Sequence, residues 1–241
     1  MDTDAGCAAL WHDSFRELGE HIRGLHERCH SAYHAFDDLP RLVDELRILS
    51  VNAELASARA GDYGRAVRVL THFATESVTR LLSVVPAMVE LKKTTYSLAG
   101  TVMRAAADIA KIEAAGHLVL REGHRFPAGE GDPLDALEGA RQKRLAALIG
   151  AVGEMGRAHQ HLVEAVRSVR EVTMQAEIIA ANVAIEATSA GPHEVELQSI
   201  ADTMRSRVDQ LRAMIDQAGR DLRAAADTNV KLSSLATLLR R

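Results

Sequence analysis

Apolar and polar positions alternate in a helical rhythm along nearly the whole chain. Starting at Trp11 and stepping three then four, one stripe reads Trp11, Ser14, Leu18, His21, Leu25, Arg28, Ala32, Ala35, Leu39, Leu42, Leu46, Leu49, Ala53 and Ala56. The same stepping from Met155 gives Ala158, Leu162, Ala165, Val169, Val172, Ala176, Ile179, Val183 and Glu186. An apolar spacing of about 3.5 residues sustained over so many turns is the seam of helices in a left-handed supercoil. The densest interruption is Arg125 to Pro133, where Asp132 can cap a helix whose first residue is Pro133. Weaker stops fall at Ala60-Gly61-Asp62 and Ala190-Gly191-Pro192, where glycine can take the left-handed conformation that ends a helix. The pattern predicts helices over 3–60, 62–124, 133–190 and 193–239. Asp37-Asp38 before Pro40 marks a place where the first can restart.

The two stripes correspond at an offset of 130, which is also the distance from Gly61 to Gly191. That shift places Ile48 on Ile178, Asn52 on Asn182, Leu55 on Ile185, Val78 on Val208 and Leu81 on Leu211, without a gap. The expected fold is therefore all-α: a long antiparallel four-helix coiled-coil bundle formed by two tandem helical hairpins. The first hairpin takes 1–125 with its turn near 61, and 126–132 connect. The second takes 133–241 with its turn near 191, and together they make one elongated domain.

Composition narrows the function more by exclusion than by indication. Of the 241 residues 47% are hydrophobic but only 3% aromatic, a mix of Ala and aliphatic side chains that suits a thin helical bundle better than an α/β enzyme or a β sandwich. A net charge of −4 and a pI near 6.3 supply no field to attract nucleic acid or an anionic membrane. Cys7 and Cys29 are too few for a disulfide framework, and no apolar stretch is long enough to span a bilayer. These features point to a cytoplasmic protein with no membrane span and no nucleic-acid partner.

The residues around the turns resemble a known family. Asn182-Val-Ala-Ile-Glu-Ala-Thr-Ser-Ala-Gly191, and in the first copy Asn52 through Arg65, are similar to the signalling tip of methyl-accepting chemotaxis receptors. The resemblance covers roughly 35 residues at each tip, and the flanking helices match only in heptad pattern. It implies a hairpin whose tip docks a chemotaxis histidine kinase and its coupling adaptor, clusters with other chemoreceptors, or self-associates. The family's tip glutamate falls on Glu186 and its tip arginine on Arg59, so each copy retains one member of a charge pair that can act between hairpins or between molecules. The Gly-Arg step after the turn is Gly64-Arg65 in the first copy. The docking groove falls on Val67, Val69 and Leu70 in one copy and on Leu197 and Ile200 in the other. The family's large aromatic is replaced by Val67 and Leu197, and no adjacent Glu/Gln pair of the kind the family methylates is present. The resemblance thus implies partner-binding roles for Asn52, Arg59, Gly61, Gly64, Arg65, Asn182, Glu186 and Gly191 together with those apolar residues.

Histidines are the rival source of function. His26, His30 and His34 recur every four residues, a spacing at which imidazoles can share a metal. On that alternative the chain is a helical-bundle sensor for metal or haem, although the seam stepping leaves these three off the core and a solvated face explains them as well. No phosphate loop, nucleophile elbow or zinc-hydrolase helix is present. The chain is expected to be a signalling or scaffold protein with no cofactor, not an enzyme.

Overall fold

The computed structural model describes residues 19–122 and 132–238. The expected start of the first helix and most of the 126–132 connection lie outside these. The described residues form an all-α helical bundle of five α-helices: α1 (19–34), α2 (Leu39–Arg59), α3 (Arg65–Glu122), α4 (Pro133–Ala187) and α5 (Glu194–Leu238). A short 3-10 turn, Gly191–His193, precedes α5. Among the described residues no helix is long and apolar enough to cross a membrane.

The first predicted helix is not continuous. Residues 35–38 form a turn between α1 and α2, because Pro40 lacks an N–H and its ring displaces the preceding helical carbonyl. Asp38 occupies the cap position without using its carboxylate as a cap. Asp37 instead receives Lys92 Nζ at 2.8 Å on one oxygen and meets His34 Nδ1 at 2.6 Å with the other. Lys92 first, and His34 after it, hold the Asp37 carboxyl below the usual range. Pro86, by contrast, sits inside an unbroken α3. At the other marked start, Asp132 Oδ1 accepts the Leu134 N–H at 2.9 Å, as the Asp-Pro signal predicts.

Contacts group the chain into two compact units. One takes the described parts of Met1–Cys29, Lys93–Gln160 and Arg223–Arg241; the other takes His30–Lys92 and His161–Leu222. In the second unit the four helices are neighbours in a ring. Lys92–Asp37 joins α3 to the α1–α2 turn, Arg80–Gln175 joins α3 to α4, Arg212–Glu177 joins α5 to α4, and Arg207–Glu45 joins α5 to α2.

Burial follows the 130-residue offset. Leu39 and Val169, Leu42 and Val172, Leu46 and Ala176, Ala53 and Val183, Ala60 and Ala190, Val67 and Leu197, Val78 and Val208, and Leu81 and Leu211 are buried in both members of each pair. Within the first unit, Ile22 and Val152, Leu25 and Met155, and Cys29 and His159 repeat the match. The α1 seam differs in phase from the sequence expectation: Ile22, Cys29 and Phe36 take the core positions assigned to His21, Arg28 and Ala35. Both steppings share Leu25, Ala32 and Leu39, and the observed one buries apolar Ile22, Cys29 and Phe36 while leaving the imidazole of His21 and the guanidinium of Arg28 outside the core.

Two core groups have shifted chemistry. Burial pushes the Cys29 thiol up to about 11, which leaves it an inert core residue at neutral pH. His159 is buried, its Nδ1 has no hydrogen-bond partner among the described residues, and burial lowers its pKa from 6.5. Above pH 6.5 His159 is neutral in both states and adds no pH dependence, whereas below it the unfolded chain binds a proton that the folded chain resists. Stability is expected to hold above pH 6.5 and to fall as the pH drops through and below that value. His159→Leu should flatten this acid loss in urea titrations between pH 7.5 and 5; an unchanged slope would show that His159 is not held neutral.

Candidate protein-docking surface at the turns

Both helix-ending glycines adopt the left-handed conformation, Gly61 at φ 59° and Gly191 at φ 56°. The two turns lie side by side. A Cβ placed on Gly191 would touch the Tyr63 ring at 3.9 Å, and Arg59 Nη1 donates to Glu196 Oε1 at 3.1 Å. Tight closure of the first turn depends on Gly64, where a Cβ would fall 1.9 Å from the Ser57 carbonyl oxygen. Arg65, next in sequence, pairs with Asp62 at 2.6 Å with both side chains in solvent.

The structure sorts the tip residues into core and surface. Val67 and Leu197 are fully buried and Ile200 nearly so; they pack with Ala53, Ala56, Val183, Ala187, Ala190 and Met204 in the core beneath the turns. These three cannot line a docking groove, because the apolar step after each turn is the first contact of the returning helix with the bundle. Val69 stays exposed and Leu70 half-buried. Asn52 and Asn182 are exposed, Glu186 is half-buried, and Gly61 and Gly191 face solvent at the turns. Arg59 finds its partner in Glu196 of α5 rather than in Glu186. Exposed pairs of this kind contribute about 0–1 kcal/mol, so this one aligns the turns more than it stabilises them.

The most informative surface lies beside these residues and was only partly named by the sequence. Ile48 and Ile178 are 61% and 62% exposed, and Leu55 and Ile185 are 52% and 64% exposed. All four lie on helix faces turned away from the buried seam. Ile178 lines a groove between α3 and α4 together with Phe73, Glu76, Ser77, Arg80, Gln175 and Ile179. The Arg80 to Gln175 hydrogen bond, 2.9 Å, fixes the two helices at the end of this groove away from the turns. The three-four stripes continue toward the turns through Val69 on α3 and through Asn182 and Ile185 on α4, all exposed. Isolated exposed apolar side chains are ordinary, but a cluster along one groove is a candidate interaction surface.

At the offset of 130 the corresponding face belongs to α5 and α2. Ser199, Thr203 and Ser206 stand where Val69, Phe73 and Glu76 stand in the first, and Glu45 replaces Gln175. Here Glu45 forms an ion pair with Arg207 at 2.9 Å, where the first face has a guanidinium donating to a neutral amide. The two faces thus differ on one side only: α5 sets hydroxyls where α3 sets Val69 and Phe73, while α2 keeps the exposed Ile48 and Leu55 at the positions of Ile178 and Ile185 on α4. The signal was available in the sequence as Val69, Phe73, Glu76 and Arg80 at helical spacing, but it had no turn motif to draw attention to it.

The histidines do not converge. His26 packs edge-on against Tyr96 at 5.4 Å between centroids, while His30 and His34 are exposed and face one another at 6.1 Å. Among the described residues no three His, Cys, Asp or Glu side chains gather to hold one ion. Searches against protein families, curated proteins and solved structures found no match for this chain.

The turn geometry separates two glycine substitutions. Gly64→Ala is expected to cost roughly 1–3 kcal/mol through forced overlap with the Ser57 carbonyl. Gly61→Asn should cost under about 1 kcal/mol, because asparagine visits the left-handed region. Chemical denaturation of the two variants checks this, and equal losses would contradict the tight closure at Gly64.

Proposed function

We propose that this chain is a chemoreceptor-like signalling or scaffold protein that binds other proteins through the turn-proximal part of its bundle, its partners being a chemotaxis histidine kinase with its coupling adaptor or other chemoreceptor-like tips. The observation that carries this reading is the α3/α4 groove with Phe73 and Ile178 open to solvent, continued toward the turns by Val69 and Ile185. The resemblance of the Asn-to-Gly turn segments to receptor tips supplies the partner class. Contact here is through side chains that the fold does not need for its core, so binding and folding are separable.

On this reading the work of the protein is positioning rather than catalysis. The side chains facing the groove are apolar, amide, hydroxyl and one acid-base pair, Glu76 and Arg80, with Arg80 engaged by Gln175. Large apolar side chains set in such a surround are the composition of a protein interface, with Phe73 as the natural anchor. The face on α5 and α2 has Thr203 in place of that anchor and is expected to contribute little.

Phe73→Asp and Ile178→Asp should each lower co-sedimentation with a chemotaxis kinase and coupling adaptor by at least tenfold, since an interface anchor is worth about 2 kcal/mol or more. Because both positions are exposed, thermal melting should stay within a few degrees of the parent. The equivalent change on the other face, Thr203→Asp, should leave binding intact. Undiminished co-sedimentation of the two groove variants would overturn the docking assignment.

A further inference from the structure

The joint between α1 and α2 carries chemistry that the docking reading does not use. His30 and His34 lie one turn apart at the end of α1, both exposed, with imidazole centroids 6.1 Å apart. Asp37, in the turn that follows, meets His34 Nδ1 at 2.6 Å. A carboxylate on one ring nitrogen fixes the tautomer: Nδ1 carries the proton donated to Asp37, and the lone pair is left on Nε2. This is the arrangement in which a ligand histidine is oriented and made more basic by an outer carboxylate. It does not require either imidazole to lack other contacts, since each ring offers two nitrogens.

The spacing fits a shared ion. With metal–nitrogen bonds of about 2.0–2.1 Å, an imidazole centroid stands about 3.2 Å from the metal, so two such ligands at a tetrahedral angle have centroids about 5.2 Å apart. The observed separation is wider by less than 1 Å, which a small rotation of exposed side chains closes. The site also lies in the last turn of α1, where the backbone carbonyls favour a positive charge. Lys92 acts in opposition: its ammonium shares Asp37, at 2.8 Å, and reduces the negative charge behind His34.

We propose that His30 and His34 form a two-imidazole clamp for a divalent cation of the zinc, nickel and copper class, with Asp37 as the positioning residue and water completing the coordination. Imidazole selects this class over magnesium or calcium, which take oxygen ligands. The offset of 130 places Gln160 and Glu164 at the corresponding positions, so the clamp belongs to the first half of the chain alone. A bound ion would tie the end of α1 to the turn that joins it to α2. The proposal is independent of the docking function and stands or falls separately.

Isothermal titration of the full chain with zinc chloride, repeated with nickel, tests it. One high-affinity equivalent is expected in the parent, weakened at least tenfold in His30→Ala and in His34→Ala. Asp37→Asn should weaken it about 10- to 100-fold, and Lys92→Met should strengthen it. His26→Ala should leave it unchanged, because that ring lies against Tyr96. Circular dichroism melts without metal confirm that each variant folds, and His34→Gln is the substitute should His34→Ala fail. Absence of uptake up to millimolar metal, parent-like affinity in either the His30 or the His34 variant, or loss in His26→Ala would each overturn the clamp.

Discussion

A side chain taken by the core is withdrawn from the surface, and in this bundle that exclusion decides what can meet a partner. The seam repeats every three or four residues through the helices and recurs at an offset of 130, with the same positions buried in both halves. It passes directly through the segments after each turn, so Val67 and Leu197 close the core instead of facing outward. What remains exposed is set by the same periodicity. Residues such as Val69, Phe73, Ile178 and Ile185 fall between core positions and stay in solvent whatever their hydrophobicity.

This is also why some features were legible in the sequence and others were not. Ala-Gly steps at Gly61 and Gly191 identify the turns because few other residues tolerate a positive φ there. Asp132-Pro133 marks the start of α4 for an equally local reason. The phase of the α1 seam is ambiguous in the sequence because two steppings share Leu25, Ala32 and Leu39, and only packing shows that Ile22, Cys29 and Phe36 fill the intervening places. Resemblance to a receptor tip drew attention to apolar residues near the turns without revealing which of them the bundle itself consumes.

Non-local partners were the least legible. Arg59 was expected to act with Glu186, but its partner Glu196 is supplied by the start of α5, where the two turns come together. The need for glycine at position 64 arises from the approach of the Ser57 carbonyl, a contact that no spacing rule encodes. The break before α2 was signalled by Pro40, yet the charged groups that settle around it, Asp37 with His34 and Lys92, come from three separate segments. Helix positions follow from local pattern, while the arrangement of polar groups follows from which helices become neighbours.

The core pairs match closely because a change there disturbs packing on all sides, and removing a few methylenes from such a site costs about 2–5 kcal/mol. Exposed positions are under no such restraint, since a typical surface substitution changes stability by less than about 0.5 kcal/mol. Folding therefore tolerates Thr203 as readily as Phe73, and Ser199 as readily as Val69. A stability requirement accounts for the shared core but does not distinguish Val69 and Phe73 on α3 from Ser199 and Thr203 on α5.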